Sequence, residues 1–184
     1  MQPHIQKIGE LTLKFLHAKM NMQLKKIMNF WESLQTEELR LSVPKEHSVI
    51  CKFLAPLQDI IYEAMCINEY ENDETVVGDS FDDERYTVLE AASNTLLEMA
   101  KFLPQELFPR AWTYFNERIG KSTWQEQYQA LVGINCVMKV ENKQLIYQNI
   151  DPIYMSFWQL LDQVTNQNNS RMALQIIGVI RNMF

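Results

Sequence analysis

Apolar residues recur along the chain at spacings of three and four, not in alternation. Ile50, Phe53, Leu54, Leu57, Ile61 and Met65 form one stripe, and Leu89, Ala92, Leu96, Met99 and Leu103 a second. Trp124, Tyr128, Leu131, Ile134 and Met138 form a third, and Ala173, Ile176, Ile177 and Ile180 a fourth. This is the period of helices with one buried face. Breaks fall at Asn21, at Ser42-Val43-Pro44, at Gly120-Lys121-Ser122 and at the polar run Asn166 to Ser170. Pro104 suits a first helical turn, Gly120 a helix C-terminus, and Ser122 and Ser170 N-caps. The pattern predicts eight helices over 4–19, 22–39, 47–67, 86–103, 104–119, 122–139, 143–164 and 170–183, with no strand. Leu96, Leu131, Ile134, Phe53 and Ile177 are the expected core positions.

An internal repeat follows from the prolines. Leu54-Ala55-Pro56, Leu107-Phe108-Pro109 and Ile150-Asp151-Pro152 each fall in the first helix of a pair. Ala130-Leu131 follows Pro109, and Ala173-Leu174 follows Pro152, at the same interval of 21 residues, a period of 43. Helix pairs repeating at about 40–47 residues are the signature of HEAT or armadillo arrays. The expected fold is therefore an all-α superhelix of about four helix pairs, a single array spanning 1–184. Its approximate repeats are 4–39, 47–103, 104–139 and 143–183. The alanines should let second helices pack closely, and the prolines should kink the first helices.

In that register the second pair carries 14 extra residues, and they are acidic. Residues 69–84 hold eight carboxylates and no Lys or Arg, whereas the whole chain has a net charge of −6. The other 168 residues thus sum to +2, and the acidity belongs to one loop, 68–84. Such a segment disfavours nucleic acid as a ligand and suits a basic partner. Its self-repulsion and scarcity of apolar anchors predict mobility. A solvated loop serving only solubility is the bland alternative.

Catalytic and metal chemistry find no support. The phosphate-cradling glycine loops, the nucleophile elbow and the zinc-protease helix motif are missing, and His4, His17 and His47 are scattered. The run from Asp73 to Glu84 places Gly78 sixth and Glu84 twelfth, as in a calcium loop, but Thr75 and Val77 occupy two ligand positions, so the ligand set fails. Cys51, Cys66 and Cys136 are an odd count without zinc spacing, which favours a reducing compartment. No apolar run reaches the roughly 20 residues of a membrane helix, and no signal peptide opens the chain. The chain is thus expected to act by binding, without enzymatic activity, cofactor or metal. Among the aromatic residues, Trp124 stands out because it lies in the first turn of a second helix, where it could pack against the stems of basic side chains.

The series of motifs resembles the central repeats of importin-beta, the karyopherin-beta family of nuclear transport receptors. Phe30-Trp31, Leu34 and Thr36-Glu37-Glu38 resemble a helix end of that family, and Phe53-Leu54-Ala55-Pro56-Leu57 its proline-bearing first helix. The acidic loop ending Asp82-Asp83-Glu84-Arg85-Tyr86 follows, then Ala91-Ala92, Leu96-Leu97, Pro109 and the run Ser122-Thr123-Trp124 to Ala130-Leu131. The likeness extends from about Asn29 to Ile180. This chain departs from the family where Thr75-Val76-Val77-Gly78 divides the acids and Tyr86 stands in place of a Trp.

The resemblance implies the middle portion of a longer receptor working in cytoplasm and nucleus and at the nuclear pore. It would bind basic cargo or an import adaptor, the GTP-bound Ran GTPase, and Phe-Gly nucleoporins. Asp79, Asp82, Asp83, Glu84 and Trp124 are the partner-binding residues it implies. A generic HEAT scaffold or adaptor subunit is the alternative reading.

Overall fold

In the computed structural model, the residues described are 7, 8, 10, 11, 14, 21–67, 87–120, 123–139, 147, 150–166 and 170–183. They are helical, with no strand among them. Eight helices are delimited within them: α1 (Asn21–Arg40), α2 (Val49–Lys52), α3 (Leu54–Met65), α4 (Val88–Phe102), α5 (Pro104–Ile119), α6 (Trp124–Met138), α7 (Ile150–Asn166) and α8 (Ser170–Met183). Most of the expected 4–19 helix lies outside the described residues. The chain forms two compact units, Met1–Thr95 and Leu96–Phe184, the dividing line falling within α4.

In the first unit, α1 buries Leu24, Met28, Trp31, Gln35 and Glu38, an i, i+4, i+7 row. Thr95 of α4 donates its hydroxyl to the carbonyls of both Ala91 and Met28, which ties α4 to α1. The end of α1 is closed by backbone geometry. The Val43 N–H donates to the Glu38 carbonyl and the Ser42 N–H to the Leu39 carbonyl, with Ser42 at φ 51. This is the paired-bond helix stop in which a left-handed residue usually is glycine. Gly120, expected to serve that role for α5, sits at an ordinary φ of −78.

The segment 47–67 is two helices, not one. The chain breaks at Phe53 (φ −107, ψ 11). Pro56 explains the break: inside a continuous helix it would deprive the Lys52 carbonyl of a donor and collide with it. After the break Pro56 is the third residue of α3, where no N–H is required. Phe53 is accordingly half-buried, its ring 6.3 Å from that of Trp31, and not the core residue expected. Pro152 likewise occupies the first turn of α7, so of the three prolines only Pro109 stands inside a helix.

The second unit contains α5 to α8. Helix α5 packs on α6, α7 on α8, and α6 on α8. Trp112 of α5 meets Phe157 of α7 edge-on at 6.2 Å. First helices thus touch each other, and so do second helices. At the α5–α6 contact the ring of Phe115 lies on Gly133: a Cβ at 133 would stand 2.6 Å from two ring atoms. Leu131, Ile134 and Leu96 are completely buried, as their stripes require.

Helix α8 departs from its expected facing. Met172, Ile176, Val179 and Met183 are buried, whereas Ile177 is 50% and Leu174 69% exposed. The apolar residues of α8 span two adjacent rows, and consecutive residues stand about 100° apart around a helix. The row containing Ile176 and the two methionines takes the core, leaving Ile177 outside. Burial therefore does not follow the 43-residue register between Leu131 and Leu174.

Leu131→Ala should lower unfolding free energy by about 2–5 kcal/mol in denaturant titration, while Ile177→Ala should change it by less than about 1 kcal/mol. Equal effects would contradict the facing of α8. Gly133→Ala should destabilise by about 1–3 kcal/mol despite alanine's better helix propensity, and Phe115→Leu in the same chain should recover part of the loss.

Candidate interaction site

The acidic segment is bounded by two well-anchored helix ends. Helix α3 enters it through Ala64 and Met65, both completely buried, and its last turn tightens as Cys66 and Ile67 donate their N–H groups to the carbonyls of Glu63 and Ala64. Helix α4 leaves it through a capping box. The Thr87 N–H donates to Glu90 Oε2 at 2.7 Å, and the Glu90 N–H donates to Thr87 Oγ1 at 3.1 Å. The side chains of Thr87 and Glu90 thus satisfy two N–H groups that a helix start otherwise leaves orphaned. Val88, between them, is completely buried.

A second capping element opens α6. Thr123, not Ser122, is the N-cap; its hydroxyl accepts from the Glu126 N–H at 3.4 Å and donates to the Glu126 carboxylate at 2.6 Å. Trp124 is the first residue of α6. Both second helices therefore begin Thr-x-x-Glu, a signal present in the sequence at 87–90 and 123–126. Each start carries its own carboxylate, so neither is arranged to receive an external anion.

Asp79, Asp82, Asp83 and Glu84 lie outside the described residues, as does the expected mobility of their loop. Trp124 is placed on α6, within the second unit, whereas the acidic segment falls in the first.

The acidic pair at the end of α1 separates into two roles. Glu37 is exposed and accepts from Arg40 Nε and Nη2 at 2.8 and 2.6 Å. That guanidinium holds the Glu37 carboxyl below its ordinary range, chiefly by hydrogen bonding, and Arg40 is raised in turn. A depressed carboxylate contributes stability above its unfolded pKa and loses it as pH falls through its folded pKa; at this exposed position the effect is small. Glu38 is buried. It accepts from the Ser48 hydroxyl at 2.5 Å and the Val49 N–H at 2.7 Å, clasping the end of α1 to the start of α2. Ser48 Oγ also accepts from the Cys51 N–H.

An amide ladder crosses between second helices. Asn182 donates to Asn135 Oδ1 at 2.6 Å, and Asn135 donates to Gln175 Oε1 at 3.5 Å. Gly178 lies beside it, and a Cβ there would meet Asn135 Nδ2 at 3.4 Å, an ordinary van der Waals contact. Reasoning from apolar stripes passed over these residues because they are polar positions on a partly buried face.

Among the described residues no group of His, Cys, Asp and Glu could hold a metal ion, and no helix is long and apolar enough to cross a membrane. No protein-family model matches the chain, and no curated protein matches it.

Thr87→Ala should destabilise the protein by about 1 kcal/mol and raise amide exchange selectively in the first turn of α4, measured by hydrogen–deuterium exchange. Thr87→Ser should behave as the parent. Exchange unchanged at 88–90 in the alanine variant would refute the capping role.

Proposed function

We propose that this chain is a protein-binding portion of a nuclear transport receptor of the importin-beta kind, built as a HEAT-type helical array. The observation that carries the reading is the concentration of charge: eight carboxylates in residues 69–84, in a connection between two firmly ended helices. A loop so charged attracts a basic partner over the screening distance of roughly 8–10 Å. The pairing of α5 with α6, α7 with α8, and α6 with α8 supports the array, because stacked helix pairs make contacts of this kind.

In this reading the partners are basic cargo or a basic import adaptor, the GTP-bound Ran GTPase, and Phe-Gly nucleoporins. The setting is cytoplasm, nucleus and nuclear pore. Asp79, Asp82, Asp83 and Glu84 supply attraction and Trp124 supplies stacking. The action is binding, with no catalytic step.

Replacing Asp79, Asp82 and Asp83 by Asn and Glu84 by Gln tests it. Binding to GTP-loaded Ran or to a basic import peptide should weaken several-fold, and its salt dependence should flatten, while the melting temperature stays within about 2 °C. Trp124→Ala should weaken the peptide with little change in salt slope. If the neutralised chain binds all these partners as tightly as the parent at low and physiological salt, the acidic loop is a solvated insertion and the transport reading falls.

A further inference from the structure

Helix α7 exposes large apolar side chains on the side away from its core contacts. Its core side is fixed by Phe157 and Val164, both buried, with Phe157 held against Trp112. On the outer side Trp158 and Met155 are each 54% exposed. The Tyr154 ring lies nearly parallel to that of Trp158, at 20° and 6.0 Å between centroids. An indole half open to water and backed by a second ring is an apolar platform with a π-face available.

The charge that α7 adds to the same face is negative. Tyr154, Met155, Trp158 and Asp162 fall within about 60° of the Trp158 direction on the helical wheel. Asp162 thus stands one turn beyond Trp158 on the same face. Asp162 is exposed, and α7 contains no Lys, Arg or His. A cationic side chain lying over the indole would find ring quadrupole and carboxylate together.

We propose that this face is a docking surface for an arginine-bearing peptide segment, with a guanidinium stacked on Trp158 and bonded to Asp162. Charge complementarity selects a cationic occupant, and the geometry selects arginine over lysine. A guanidinium is planar and weakly hydrated, so it can lie flat on the ring while its edge forks onto a carboxylate. An ammonium is a compact, strongly hydrated point charge that gives up more hydration on the ring and cannot fork onto the carboxylate with a planar edge. The proposal is independent of the acidic segment and of the transport reading, since it uses residues of the second unit alone.

The test uses the full chain and two synthetic alanine-based peptides of 14 residues, one with two arginines and one with two lysines at i, i+4. Binding is read by fluorescence anisotropy at two salt concentrations. The arginine peptide should bind at least about threefold more tightly than the lysine peptide. Trp158→Leu should weaken it by about fivefold, and Asp162→Asn by a similar factor with a flatter salt dependence. Neither variant should shift the melting temperature by more than about 2 °C, because both positions are exposed. Neutralising Asp79, Asp82, Asp83 and Glu84 should leave the arginine preference and the Trp158 effect intact. The proposal is overturned if neither peptide binds, if the two bind equally, or if Trp158→Leu leaves the arginine peptide unaffected. It is also overturned if the loop neutralisation abolishes binding that Trp158→Leu spares, or if sedimentation shows a dimer that Trp158→Leu dissociates, which would assign the face to a second copy of the chain.

Discussion

Two residues apart on a helix means about 200° apart around it, and α6 uses that relation to face two neighbours at once. Gly133 accepts the Phe115 ring, so α5 comes as close to the α6 backbone as a ring in contact with a Cα allows. Asn135, two positions on, faces the other way and bonds to Gln175 and Asn182 of α8. Helix α8 in turn carries α7. The second unit thus hangs on a helix with a glycine on one side and an amide on the other. Both residues are poor helix formers in isolation; packing against neighbours on both sides compensates for them.

Much of this architecture was legible in the amino-acid pattern, and the exceptions are instructive. The stripes through Leu96, Leu131 and Ile134 identified core positions because burial repeats with the helix period. Ile177 misled because α8 is apolar on two adjacent rows, and only the neighbours decide which row turns inward. Phe53 misled because the pattern of 47–67 is continuous although the backbone is not; Pro56 held the correct signal, since a proline three residues past a break is unstrained and one in mid-helix is not. The Thr-x-x-Glu starts at 87 and 123 were readable in principle. Ser42 was not: nothing in a serine announces a left-handed conformation, which the two carbonyl bonds at the end of α1 impose on it. The candidate acids Asp79, Asp82, Asp83 and Glu84 stand in the chain's acidic run, and it was the family resemblance that singled them out from its eight carboxylates.

The clasp at Glu38 shows how the same residue type serves different ends one position apart. Glu37 faces water and pairs with Arg40 on its own helix. Glu38 turns inward and takes a hydroxyl and a backbone N–H from the next helix. A buried carboxylate with two donors is a joint, because removing either side leaves a polar group unpaired away from water. The proposed interaction surfaces differ in kind: the acidic segment offers diffuse attraction, whereas the α7 face offers shape and a ring.

The connections themselves differ greatly in length. Residues 120–123 lie between α5 and α6, whereas 66–87 lie between α3 and α4, so 4 residues separate one pair of consecutive helices and 22 another. For a flexible chain the entropy of closing a loop grows only with the logarithm of its length, so between flexible links of 4 and 22 residues the difference would be roughly 1.5 kcal/mol. That is about the loss expected from a single helix cap or a deleted methyl group. Polymer statistics therefore place almost no ceiling on the length of chain between two such helices. Under the proposed function, the acidic stretch between α3 and α4 could lengthen, shorten or change its sequence at little entropic cost to the helices on either side, which is where new recognition could be acquired without redesigning the core.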